Sequence, residues 1–98
     1  MKVKPITSVE TALRIYYEYP EIGNAQMFEL FGKKTSTGTL SKYKKAALEE
    51  QMENGVYTAN ISTVNTEIAY RVWGIDVEDL ERRYKKLLKL GFLKMQNA

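Results

Sequence analysis

The sequence predicts a compact, mostly α-helical single domain of five helices, and three observations carry that reading. Capping residues and helix-ending glycines or prolines alternate along the chain at Thr7/Pro20, Asn24/Gly32, Thr37/Gly55, Ser62/Gly74 and Asp76/Gly91. A unit of short apolar helix, glycine, turn and basic helix occurs twice in altered form, at 27–45 and 69–86. Only 56–61 is short, β-branched and aromatic enough to read as a strand, and 92–95 is a second short candidate. One domain covers 1–98, since no linker or low-complexity stretch divides it.

Residues 1–6 form an extended arm ending near Pro5. Thr7 or Ser8 can cap the first helix, and Thr7-Ser-Val-Glu10 fits a capping box; Val9, Leu13, Tyr16 and Tyr17 follow helical spacing. Pro20 disfavours helical conformation in the residue before it, so this helix should stop near Tyr19. Asn24 is the expected cap of the second helix, which ends at Phe31 because Gly32 can adopt positive φ. Ser36 or Thr37 caps a third helix from about Gly38 to Glu53, closed by Asn54-Gly55. Ser62 or Asn65 caps the fourth, which reaches Trp73. Asp76 caps the fifth, whose apolar stripe is Val77, Leu80, Tyr84, Leu87 and Leu88. Gly91 ends it, Phe92 is placed to fold back on the last turn, and the remaining residues are either a short strand or a frayed end.

Composition excludes several function classes. The chain has no cysteine and no histidine, which removes disulfides, thiol nucleophiles, the usual zinc sites and histidine acid–base chemistry. Only carboxylates, lysines and hydroxyls are left, and no spacing among them suggests a catalytic site, so no enzyme, metal, cofactor or small-molecule ligand is expected. The opening Met-Lys-Val-Lys-Pro5 lacks a signal peptide's apolar stretch, and no apolar run approaches the ~18 residues of a membrane span. A cytoplasmic protein without a membrane partner is expected. The net charge of +3 permits a polyanionic partner but does not demand one, because the placement of charge matters more than its sum.

The two copies resemble the helix-turn-helix superfamily of DNA-binding domains. In the second copy Gly74 and Leu80 keep that superfamily's spacing between turn glycine and apolar anchor, and Glu67-Ile68-Ala69 is similar to its usual opening. The interval from Ala69 to Gly74 is one residue longer than the common pattern. In the first copy the interval from Gly32 to Leu40 is two residues longer, although Thr39-Leu-Ser-Lys-Tyr43 is similar to a typical recognition helix. The order helix, strand at 56–61, helix, helix, then Phe92-Leu-Lys-Met95 resembles a winged helix with a shortened wing. In general style the chain resembles small regulators carried by phages and mobile elements. The resemblance implies double-stranded DNA as partner and a homodimer reading paired half-sites.

Charge distinguishes the copies. From Lys33 to Lys45 there are five basic residues and no acidic one, with hydroxyls at Thr35, Ser36, Thr37, Thr39 and Ser41. Hydroxyls, backbone N–H groups and the positive end of a helix dipole suit phosphate, and lysines suit phosphate or guanine edges. The last helix instead opens with Asp76, Glu78, Asp79 and Glu81 and turns basic at Arg82, Arg83, Lys85, Lys86 and Lys89. The helix macrodipole favours that order without any ligand. The expected contacts are therefore Lys33, Lys34, Thr37, Thr39, Ser41, Lys42, Lys44 and Lys45, with Arg82, Arg83 and Lys86 as backbone contacts.

The apolar residues Met27, Phe28, Leu30, Phe31, Leu40, Tyr43, Ala47, Met52 and Trp73 read as core. Tyr16, Tyr17 and Tyr19 can stack on bases, but a buried ring with its hydroxyl at the surface is the favoured reading. Glu49, Glu50 and Glu53 read as a solvated helix face. The function expected is a small DNA-binding protein, a transcriptional regulator or an accessory factor in a DNA transaction. The alternative is a protein-interaction or assembly module built on the same scaffold.

Overall fold

Five helices and one two-stranded sheet make up the computed structural model, which describes residues 1–60 and 62–91. In chain order they are α1 (Val9–Glu18), β1 (Glu21–Ile22), α2 (Asn24–Phe31), α3 (Thr37–Glu53), β2 (Val64–Asn65), α4 (Thr66–Val72) and α5 (Val77–Lys89). Side-chain caps fix most helix starts. The Ser8 hydroxyl accepts from the Thr11 N–H, Ser36 from Thr39, Asn65 from Ile68 and Asp76 from Asp79. Ser8, not Thr7, thus caps α1, and Asn65, not Ser62, caps α4. At α2 the cap is Gly23 and not Asn24. There the Gln26 side chain reaches back to accept the Gly23 N–H at 2.9 Å, while Asn24 is already helical.

The strand expected at 56–61 is not found in its described part. Residues 56–60 follow α3 without a ladder partner, and Tyr57 is 81% exposed. Strand propensity records how well a side chain fits a pleated, half-buried surface, and no such surface is offered here. Instead the Glu21 carboxylate accepts the Ala59 N–H and the Thr63 hydroxyl, both at 2.9 Å, and so holds the loop to β1. Those bonds draw the Glu21 carboxyl below its ordinary pKa. The pairing segment lies a few residues later, at Val64–Asn65. It runs antiparallel to β1 in the register Glu21↔Asn65, Ile22↔Val64. The strand expected at 92–95 and the fold-back of Phe92 lie outside the described residues.

The repeat seen in the sequence has a geometric counterpart. Ile22 and Val64 occupy equivalent positions of the two copies, and they pair with each other. Phe31 and Trp73 are also equivalent, and their rings meet edge to face at 5.4 Å. Each is followed by a glycine with positive φ, +107° at Gly32 and +75° at Gly74, where an L side chain would be strained. The chain leaves each glycine into a second helix, α3 or α5.

The core lies among the inward faces of all five helices. Ala12, Ile15, Ile22, Met27, Leu30, Leu40, Ala47, Val64 and Ala69 are fully buried, and Trp73 and Leu80 nearly so. α3 packs on α4, β2 and α2, while α1 packs on α5 and α2. The inward stripe of α3 is Leu40, Tyr43, Ala47 and Gln51. Met52, expected in the core, is 65% exposed, because the stripe continues to Gln51. Buried Gln51 accepts the Asn65 N–H through its side-chain oxygen, tying α3 to the start of α4. Phe28 is half-buried against the core.

Buried polar atoms are paired, as a low-dielectric interior requires. The Tyr70 hydroxyl donates to the Ala12 carbonyl at 2.6 Å, the Thr66 hydroxyl donates to the Tyr19 carbonyl, and the Trp73 indole N–H donates to the Tyr43 carbonyl at 2.9 Å. Burial raises the Tyr70 hydroxyl pKa well above its ordinary value.

Trp73 and Leu80 flank the turn between α4 and α5 and are only 2% and 6% exposed. Leu80→Ala should cost about 2–5 kcal/mol, the range for truncating a buried leucine. Chemical denaturation measures this directly, and an unchanged midpoint would mean that Leu80 does not anchor α5.

Candidate nucleic-acid interface

The first basic stretch sits on the turn between α2 and α3 and on the outer face of α3. Leu40, Tyr43 and Ala47 point inward, so helical periodicity turns Gly38, Ser41, Lys42, Lys45 and Glu49 outward. Lys33, Lys34, Thr37, Ser41, Lys42 and Lys45 are all exposed. Among the described residues none of these lysines forms an ion pair. Four charges of one sign thus stand without carboxylate partners on one turn and the first turns of one helix.

Not every expected contact is equally free. Lys44 is half-buried, and its ammonium donates to the Asn24 side-chain oxygen at 3.1 Å, bridging α3 to α2. Thr39 is half-buried, and its hydroxyl receives the Ser36 hydroxyl proton at 2.9 Å within the cap. Thr35 is buried, donates to the Phe31 carbonyl at 3.1 Å, and closes the turn. The outward set is therefore Lys33, Lys34, Thr37, Ser41, Lys42 and Lys45, and Lys44 and Thr39 hold the scaffold.

The basic end of α5 is wired differently. Asp79 accepts from Arg83 at 2.8 Å and from Arg82 at 3.3 Å, so one carboxylate neutralises part of both guanidinium charges. The Arg83 hydrogen bond foremost, then the charges of both arginines, hold the Asp79 carboxyl below its usual pKa. Lys86 is exposed one turn further on. Arg82, Arg83 and Lys86 therefore share a helix with Arg-bound Asp79, whereas among the described residues no carboxylate forms an ion pair with Lys42 or Lys45.

One feature was not legible from charge counting. Residues 1–6 do not trail into solvent. The Lys4 N–H donates to the Tyr43 hydroxyl at 3.0 Å and the Lys4 ammonium to the Thr35 hydroxyl at 2.9 Å. Val3 and Ile6 pack against the core. The signal in the sequence was the alternation Lys2-Val3-Lys4, apolar inward and basic outward.

A second surface has the opposite character. Tyr16, Tyr17, Glu67, Asp76, Glu78 and Glu81 line a shallow groove between α1, α4 and α5, with Arg71, paired to Glu50, as its one basic residue among those described. Tyr17 is 64% exposed, and the neighbouring Glu81 carboxylate raises its hydroxyl pKa. Among the described residues no cluster of carboxylates is arranged to hold a metal ion, and no helix is long and apolar enough to cross a membrane. Comparison with protein-family models, with curated proteins and with solved structures finds no match to this chain.

The Asp79 pair yields a pH test. A depressed folded-state pKa contributes stability above the unfolded value, near 4, and that contribution is lost as pH falls through the folded pKa. In an NMR titration the Asp79 carboxyl should titrate below its ordinary range in the wild type and return toward it in Arg83→Ala. An identical midpoint in both proteins would remove the pairing.

Proposed function

We propose that this protein binds double-stranded DNA through the turn at 33–34 and the outer face of α3, as a small regulator of transcription or an accessory factor in a DNA transaction. The observation that carries the reading is the exposed, unpaired set Lys33, Lys34, Lys42 and Lys45, with Thr37 and Ser41 beside it. Unpaired lysines at one end of a molecule repel one another, and a line of phosphates relieves that repulsion while releasing counterions. Hydroxyls at the opening of α3 supply donors for phosphate oxygens, and Lys42 and Lys45 lie one turn apart on the face that a groove would receive.

The first copy is the reader in this proposal. α5 opens with carboxylates, and Arg82 and Arg83 must leave Asp79 before contacting a phosphate in full. α5 then acts as scaffold, with Lys86 and the two arginines as weaker backbone contacts. A homodimer supplies a second α3, because one short helix gives limited affinity and paired helices read paired half-sites.

A second reading has its own observation. The groove of tyrosines and carboxylates between α1, α4 and α5 suits a basic protein segment, which would make the domain an assembly module. A DNA titration across salt concentrations separates the two.

For the DNA reading, affinity should fall steeply as salt rises, and Lys42→Ala with Lys45→Ala should weaken binding to many sequences and flatten the salt slope by about two. Glu49→Ala with Glu50→Ala should leave binding undiminished. Wild-type protein that ignores mixed duplex DNA at low salt would reject the DNA reading and favour assembly. Sedimentation of the complex reports the number of copies bound.

A further inference from the structure

Resting on the DNA reading, the geometry points to residues 1–4 as a second phosphate-contacting element, with Lys2 and Lys4 extending the α3 surface into one continuous basic track. Three anchors place this segment. The Lys4 N–H is tied to the Tyr43 hydroxyl of α3, the Lys4 ammonium to Thr35 in the α2–α3 turn, and the Thr7 N–H to the Leu30 carbonyl of α2 at 2.9 Å. Val3 and Ile6 pack against the core, whereas Lys2 and Lys4 are exposed, and the Lys4 ammonium keeps two of its three N–H donors beyond the bond to Thr35.

The placement has an electrostatic consequence. Thr35 directly follows Lys33 and Lys34 in the chain. The Lys4 ammonium, 2.9 Å from the Thr35 hydroxyl, is therefore tied to the turn that carries two further lysines, and among the described residues no carboxylate forms an ion pair with any of the three. Gathering like charges in this way is unfavourable in the free protein and favourable against an extended anion. A single bound ion would not need a track of this length, whereas the phosphates of a duplex strand recur along it.

Carboxylates mark where the track ends. The groove on the α5 side of the segment is lined by Lys2 and Lys4 themselves together with Trp73, Asp76, Asp79 and Arg83. Asp76 caps α5, and Asp79 is bound to Arg82 and Arg83. The basic surface therefore runs from Lys45 and Lys42 over Lys34 and Lys33 to Lys4 and Lys2, and stops at α5.

Two experiments on the full chain test this. The first is lysine acetylation of the wild type, read by mass spectrometry with and without a mixed-sequence duplex at low salt. Lys2 and Lys4 should be protected by DNA together with Lys42 and Lys45, while Lys85 and Lys89 stay reactive. The second compares Lys2→Gln with Lys4→Gln, which removes both charges, against Lys2→Arg with Lys4→Arg, which keeps them. The neutral variant should lose about two from the salt slope, at about 0.9 per phosphate contact, and the arginine variant should keep it. Protection at Lys42 and Lys45 without protection at Lys2 and Lys4 would overturn this inference and leave the DNA reading standing, and so would an unchanged slope in the neutral variant. No binding by the wild type would instead reject the DNA reading and this inference together.

Discussion

The indole of Trp73 is the contact on which the rest of the molecule depends. Its ring meets Phe31 from α2 at 5.4 Å, Tyr43 from α3 at 6.3 Å and Tyr70 from α4 at 6.4 Å. The Phe31 pair is edge to face and the other two are tilted, and an edge-to-face pair contributes about 0.5–1.5 kcal/mol beyond area burial. The indole N–H also has to be satisfied once buried, and the Tyr43 carbonyl accepts it. That bond fixes the rotation of α4 against α3 more tightly than apolar packing alone, because it is directional. Tyr43 in turn receives the Lys4 N–H through its hydroxyl. One chain of contacts thus runs from the core through Tyr43 to the basic surface.

The internal repeat explains why the cluster sits where it does. Ile22 pairs with Val64 and Phe31 packs on Trp73, so equivalent residues meet each other at both ends of the repeated strand–helix unit. Beyond Gly32 and Gly74 the two copies diverge. The turn after Gly32 carries Lys33, Lys34 and buried Thr35, whereas the shorter turn after Gly74 leads at once to the Asp76 cap. The same local fold therefore presents a basic opening once and an acidic opening once.

The helices were legible because each start has a chemical reason that is local in sequence. Ser36 and Asp76 bond backbone N–H groups three residues on, and Gly32 and Gly74 take positive φ. The five helices and the burial of Trp73, Leu80, Leu40 and Tyr43 follow from such local rules and from 3.6-residue periodicity. The strand at Val64–Asn65 was not legible, because its partner, Glu21–Ile22, is remote in sequence and two residues carry no alternation to detect. Met52 was misplaced since apolarity alone favoured it, whereas the α3 stripe needed Gln51 as the acceptor for Asn65. In the candidate site, Lys33, Lys34, Lys42 and Lys45 were singled out from the run of basic charge, and all four are exposed. The occupation of Lys44 by Asn24, of Arg82 and Arg83 by Asp79, and of Thr35 by Lys4 depends on tertiary neighbours that spacing does not reveal.

The packing of α1 on α5 has a consequence for how the chain is made. α1 covers its inner face, Ala12, Leu13 and Ile15, partly with nearby α2 and partly with α5. α1 ends at Glu18 and α5 begins at Val77, and at about 5–20 residues per second the stretch between them takes several seconds to synthesise. Through that interval an amphipathic helix waits with part of its apolar face uncovered. Such long-range closure also raises contact order above that of a bundle whose neighbours are sequential, and slows folding accordingly. The same junction that seals the finished domain leaves the growing chain most exposed to wrong partners.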